Sequence, residues 1–180
     1  MLFLLSLSGC AYHFGLSERS LPGGYKRVAI PMFKNKTSEV GIEPMFTNAL
    51  IRRFERSQVA AVTTSDTAPV VLDGTIKKID IVSQGVRDNT QLLTLPPDAV
   101  LSTDYRVTIA SQIMLKRKSD DRVIWQGSFQ GEKVYHVPQI GTAIVNSADA
   151  TYNQSALMQA IDDIAEQMML EAHDRITENF

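Results

Sequence analysis

A two-layer α+β sandwich is the fold class that the sequence predicts, with a mostly antiparallel sheet of about four strands and two helices on one face, in the order β-α-β-β-β-α. Three observations lead to it. Asp104–Lys118 and Arg122–Tyr135 alternate apolar and polar residues across a tight turn at Ser119-Asp120-Asp121, the pattern of an antiparallel hairpin with one buried and one wet face. Two other stretches repeat apolar residues at helical spacing. Two helices cover only one face of such a sheet, which leaves the other open.

The elements follow in order. A first strand is expected at Tyr25–Phe33, carried by Val28, Ile30 and Phe33, and Asn35-Lys36-Thr37-Ser38 reads as a turn. The first helix is expected at Pro44–Ser57, with Met45, Ala49, Leu50 and Phe54 on one face. Arg52, Arg53 and Arg56 fall near its C-terminal end, where the helix dipole favours cations. The next strand, Val70–Val86, changes phase: Leu72, Gly74 and Ile76 are even, whereas Ile79 and Ile81 are odd. A one-residue slip turns every side chain over, so a bulge is expected near Lys77-Lys78.

In the hairpin, Tyr105, Val107, Ile109, Ile113, Leu115, Val123, Trp125 and Phe129 are read as the buried row. Arg106, Thr108, Gln112, Gln126, Ser128 and Gln130 form the wet one. The last helix, Asn153–Glu178, carries Leu157, Ile161, Ile164, Ala165, Met168, Ala172 and Ile176 as a stripe. Met158, Met168 and Met169 read as core fillers. Two connections, Arg87–Thr103 and Val134–Tyr152, are longer than packing requires, and the second has almost no charge. The first holds Leu92, Leu93, Leu95 and Pro96-Pro97, the second Val137, Ile140, Ile144 and Val145, and both are expected to contact a partner, the alternative being that they fold back over the open face of the sheet.

Composition narrows the function. With 180 residues, 44% hydrophobic and 21% charged, the chain is ordinary globular material for one domain, residues 25–180. A net charge of −2 argues against nucleic acid as a partner. The charge is uneven: Val134–Phe180 holds seven acids against Arg175 alone, so the remainder is net basic. His13, His136 and His173 are scattered, and neither a serine-nucleophile motif nor a phosphate-cradling glycine loop is present. The chain therefore reads as no enzyme, with no cofactor and no metal site.

The N-terminus is more specific. Residues 2–8 are apolar but too short to cross a bilayer, and residues 1–9 read as the remnant of a signal peptide. Leu7-Ser8-Gly9-Cys10 resembles the lipobox of bacterial lipoproteins, in which the cysteine is acylated after cleavage. Several acyl chains hold a protein stably at a bilayer where one is marginal. Cys10 is thus the expected lipidation site, carrying palmitate-type chains, and is the only cysteine. Ala11 rather than Asp follows it, which resembles an outer-membrane address, and residues 10–24 read as a lipidated tether.

Gly9-Cys10-Ala11-Tyr12-His13-Phe14, Leu21-Pro22, Val28-Ala29-Ile30-Pro31-Met32-Phe33-Lys34-Asn35-Lys36-Thr37, Gly41-Ile42-Glu43 and Thr47-Asn48-Ala49-Leu50 together resemble the LptE family of lipopolysaccharide-assembly lipoproteins. That resemblance implies a Gram-negative outer-membrane lipoprotein on the periplasmic side, plugging an LptD-like β-barrel and binding lipopolysaccharide. Lipopolysaccharide presents phosphates, which need clustered cations. The candidates are Lys116, Arg117 and Lys118 at the hairpin tip with Arg122 beside them, Lys77 and Lys78 at the bulge, then Arg87 and Lys133. The competing explanation is that charged hairpin ends keep strand edges soluble. The Val28–Asn35 strand, turn and helix also look like the start of curli-secretion lipoproteins and penicillin-binding-protein activators, which are oligomeric channels or enzyme regulators.

Overall fold

The computed structural model describes residues 19–88, 100–136 and 150–178. Its elements are β1 (Arg27–Ala29), β2 (Lys34–Asn35), α1 (Glu43–Ser57), β3 (Ala61–Val62), β4 (Val70–Asp88), β5 (Val100–Arg117), β6 (Val123–His136) and α2 (Ala150–Thr177). The sandwich class holds, with both helices packed over one face of a sheet ordered β3-β1-β4-β5-β6, β2 pairing separately with β4.

The strand count is larger than expected and the sheet is mixed. β1 pairs in parallel with β3 and β4, and β2 with β4, while β4–β5–β6 is antiparallel. The expected strand Tyr25–Phe33 is only Arg27–Ala29, because Pro31 has no N–H for a ladder and the chain rejoins the sheet at Lys34. Phe33, outside both strands, is buried and lies over Gly74, where an added Cβ would sit 2.3 Å from its ring. β3, two residues long, leaves too little pattern to be read in advance. Asn35 does make the turn, its Oδ1 accepting from the Thr37 backbone N–H at 2.8 Å.

The bulge lies where the phase change put it. Ile76 faces Ser111 and Lys78 faces Ala110, leaving Lys77 as the extra residue. Val70, Leu72 and Ile76 therefore share the helix face with Ile79, Ile109, Ile113 and Leu115. One member of the buried row is corrected: Val123 is 42% exposed, because a register shift between Leu115 and Lys116 puts Lys116 opposite Val123 and leaves Ile124 without a ladder partner.

α1 and α2 run parallel. Glu166 of α2 receives Arg52 and Arg53, and seven residues on, His173 meets Ser57 at the end of α1. Gly131 lets α2 approach β6 closely, since a Cβ there would meet Ile164 and Met168 at 2.7 and 2.9 Å. Leu21 is fully buried and the Ser20 N–H bonds the Thr177 carbonyl, so packing begins inside the expected tether. Both expected connections shorten, because β4 runs to Asp88, β5 starts at Val100, β6 runs to His136 and α2 starts at Ala150. Leu92, Leu93, Leu95, Pro96, Pro97, Val137, Ile140, Ile144 and Val145 lie outside the described residues, as does Cys10.

Candidate functional site

The face of β4–β5–β6 turned away from the helices is the surface that the fold leaves for function. Register fixes its rows: Asp73–Met114–Gln126, Thr75–Gln112–Ser128, Lys78–Ala110–Gln130, Asp80–Thr108–Glu132 and Val82–Arg106–Val134. The expected wet row is therefore assembled, and β4 adds a third column to it.

Charges on this face are matched across and along strands. Lys116 Nζ lies 2.9 Å from Asp73, whose carboxylate raises the lysine pKa, first through their hydrogen bond and then through charge. Lys78 pairs with Asp80 at 2.6 Å. Arg106 reaches Glu132 at 3.2 Å and donates to Gln84 Oε1 at 3.1 Å. Exposed pairs of this kind contribute about 0–1 kcal/mol each, so their consequence is a hydrogen-bonding face rather than stability.

At the centre, small Ala110 dents the surface. A shallow open groove of 410 Å³ lies there, lined by Lys77, Ala110, Ser111, Gln112, Ser128, Phe129 and Gln130. Lys77, raised by the bulge, is exposed at its rim, and its ammonium has no hydrogen-bonding or ionic partner among the described residues. A cation, two carboxamides and a hydroxyl are the groups that bind phosphates and sugar hydroxyls.

The other cationic candidates are occupied or dispersed. Arg117 pairs with Asp120 at 3.3 Å, and Lys118 donates to the backbone carbonyls of Ser65 and Asp66 at 2.6 and 3.3 Å. The tip cluster is thereby spread over three directions. Lys133 pairs with Asp163 of α2, on the helix side. Arg87 pairs opposite Leu101 near the far end of β4. Among the described residues no group of three His, Cys, Asp or Glu side chains could hold a metal ion.

One constellation escaped the sequence. Ser57 Oγ lies 2.8 Å from His173 Nε2, and Asp174 Oδ1 lies 3.3 Å from Nδ1. The distances match a nucleophile and its base, but the setting does not. His173 is 3% exposed, the Phe54 ring lies edge-on to it at 5.0 Å, and Ser57 also bonds the Phe54 carbonyl. Burial lowers the imidazole pKa and keeps it neutral. The neutral ring can accept from Ser57 and donate to Asp174, bridging the helix ends. Residues 116 positions apart give no spacing signal for it.

A family model described as "LptE: Lipopolysaccharide-assembly" matches residues 25–172. The chain belongs to the LptE family. The match covers the whole sandwich up to the last turn of α2. No curated protein matches the chain. Among solved structures, protein XCC0632 from Xanthomonas campestris is 14% identical with a TM-score of 0.51, covering 87% of this chain and 88% of that one. A point variant of the PelC dodecamer from Paraburkholderia phytofirmans is 12% identical with a TM-score of 0.50, covering 91% and 96%. At these identities the likeness shows a shared fold alone. Among the described residues of this LptE-family chain, no helix is long and apolar enough to cross a membrane.

Proposed function

We propose that this LptE-family chain is a non-enzymatic outer-membrane lipoprotein, anchored through acyl chains on Cys10, that lodges in and supports an LptD-like β-barrel delivering lipopolysaccharide to the cell surface. One observation carries the lodging: the open face of β4–β5–β6 pairs Lys78, Arg106 and Lys116 with its own carboxylates and presents amides and hydroxyls. The lumen of a large barrel is polar, and a lodger that meets it with an apolar face loses hydrogen bonds on both sides. In one row of the open face Val82 and Val134 are exposed, Val134 two residues before β6 ends, a surface suited to the barrel wall.

Lipopolysaccharide contact belongs in the groove before the tip. Lys77 brings an ammonium with no partner among the described residues to Gln112, Ser128 and Gln130, and Lys78 follows it in sequence, paired with Asp80. Lys77→Ala should weaken lipopolysaccharide binding several-fold and flatten its salt dependence, while Lys116→Ser/Arg117→Ser/Lys118→Ser changes it less. The reverse order would move the contact to the tip.

The deciding experiment is co-purification from detergent-solubilised outer membrane. A large β-barrel protein should come with the chain, and deletion of 92–97 should weaken its recovery without unfolding the domain. Recovery of a ring of copies or of a cell-wall synthase would replace this reading with the oligomeric or regulatory one.

A further inference from the structure

The chain enters the fold beside an arginine cluster that the open face does not use. Arg19 pairs with Asp174 at 3.0 Å, Ser20 bonds the last turn of α2, and Ser57 ties the end of α1 to His173. Both helix C-termini and the point of chain entry thus lie together. Arg52, Arg53 and Arg56 occupy the last two turns of α1. One carboxylate, Glu166, answers all three: it accepts from Arg52 and from Arg53, the latter at 3.0 Å, and Arg56 acts on it through charge. Arg53 and Arg19 also both act on His173, which puts the cluster and the entry point on one side of the molecule. The nearby acids are accounted for. Asp174 is taken by Arg19 and Glu171 by Arg175, while Glu55, three residues after Arg52 and about 60° round the helix from it, makes no ion pair among the described residues.

Nine chain steps lead from Cys10 to Arg19, a reach of at most about 30 Å. An acylated Cys10 therefore holds this end within that distance of phospholipid headgroups. Unbalanced guanidinium groups there face the phosphates for which their planar fork is suited. We propose that Arg52, Arg53 and Arg56 form a second, electrostatic contact with the anionic phospholipids of the leaflet that anchors Cys10, fixing the domain's orientation on the membrane. The proposal rests on the reading of Cys10 as lipidated.

The test uses the full chain with Cys10→Ser, so that binding reports the protein surface, on vesicles of phosphatidylethanolamine with phosphatidylglycerol against phosphatidylcholine alone. The phosphatidylglycerol-dependent affinity at low salt should fall at least tenfold in Arg52→Gln/Arg53→Gln/Arg56→Gln and about fivefold in Arg56→Gln, which keeps the Glu166 pairs. Glu166→Gln keeps an acceptor but removes the opposing charge, and should bind more tightly, an effect loss of fold does not produce. Unchanged binding in Arg56→Gln and Glu166→Gln, equal binding to phosphatidylcholine, or full competition by millimolar inorganic phosphate at constant ionic strength would each overturn it. Palmitate labelling of the Cys10 chain separates the two readings: absent labelling removes the anchor, whereas labelling with unaltered vesicle binding removes this contact alone.

Discussion

Gly74 and His173 show how single positions carry this fold. Gly74 sits in β4 where Phe33 crosses the strand, with ring atoms 2.3–2.4 Å from where a Cβ would stand. Phe33 is buried and cannot swing away, so Gly74→Ala should cost about 1–3 kcal/mol by overpacking, read as a lower denaturation midpoint with unchanged slope. At His173 burial holds the folded pKa below its ordinary value of 6.5, so below that pH the unfolded chain binds more protons. Its contribution is present above pH 6.5 and is lost as pH falls through that value toward the folded pKa. The groups facing it are Ser57, Asp174, Arg19 and Arg53, and the arginines reinforce the shift while Asp174 opposes it. The melting temperature of the unaltered protein should therefore drop more steeply between about pH 7 and pH 5 than that of His173→Gln, which keeps a hydrogen-bonding side chain. Parallel curves would show that the imidazole takes up its proton equally in the folded and unfolded states.

Between elements, the bulge makes a sharper prediction. On either side of Lys77, Ile76 and Ile79 both point toward the helices, and Lys78 already faces Ala110. Deleting Lys77 thus restores a regular ladder without turning any side chain over, and should change stability by about 1 kcal/mol or less. Deleting Asp80 three residues later turns Ile81 and Val82 to opposite faces and sets one half of β4 against its register with β5. That variant should fail to give a cooperative unfolding transition, and equal stability of the two deletions would show that register is not held by the core row. The same element shows what was legible. The alternation of Leu72, Gly74, Ile76, Ile79 and Ile81 announced the bulge, because an amphipathic strand records its facing in every second residue. β3 and the break at Pro31 were not legible, since two or three residues held by parallel partners carry no period.

At the scale of the whole molecule the open face is a surface built for contact rather than for stability. Gln112→Leu together with Gln130→Leu replaces two solvent-facing amides beside Ala110, and should leave the unfolding free energy within about 0.5 kcal/mol of the original. On the proposed function the same variant should lose barrel co-purification, because each leucine abandons a lumen hydrogen bond. Retained recovery would show that the barrel is met by another face. The LptE-family match over residues 25–172 fits this division, since it spans the core that holds the sheet as well as the face that the sheet displays.

Residue order alone determined that one face of a hairpin would be wet, where β4 would slip, that two helices would cover one side, and which family the chain resembles. Each of these is written locally, in a period of two or 3.6 or in a short motif, so no knowledge of distant contacts is needed. The tertiary structure decided what distance along the chain conceals. It gave Lys116 to Asp73, Lys118 to the carbonyls of residues 65 and 66, and set Lys77, with no partner among the described residues, beside Gln112, Ser128 and Gln130. It also set Arg52, Arg53 and Arg56 against a single Glu166 next to the chain's point of entry. A side chain's charge is fixed by its type, but whether that charge is neutralised depends on which neighbour the fold brings within about 4 Å.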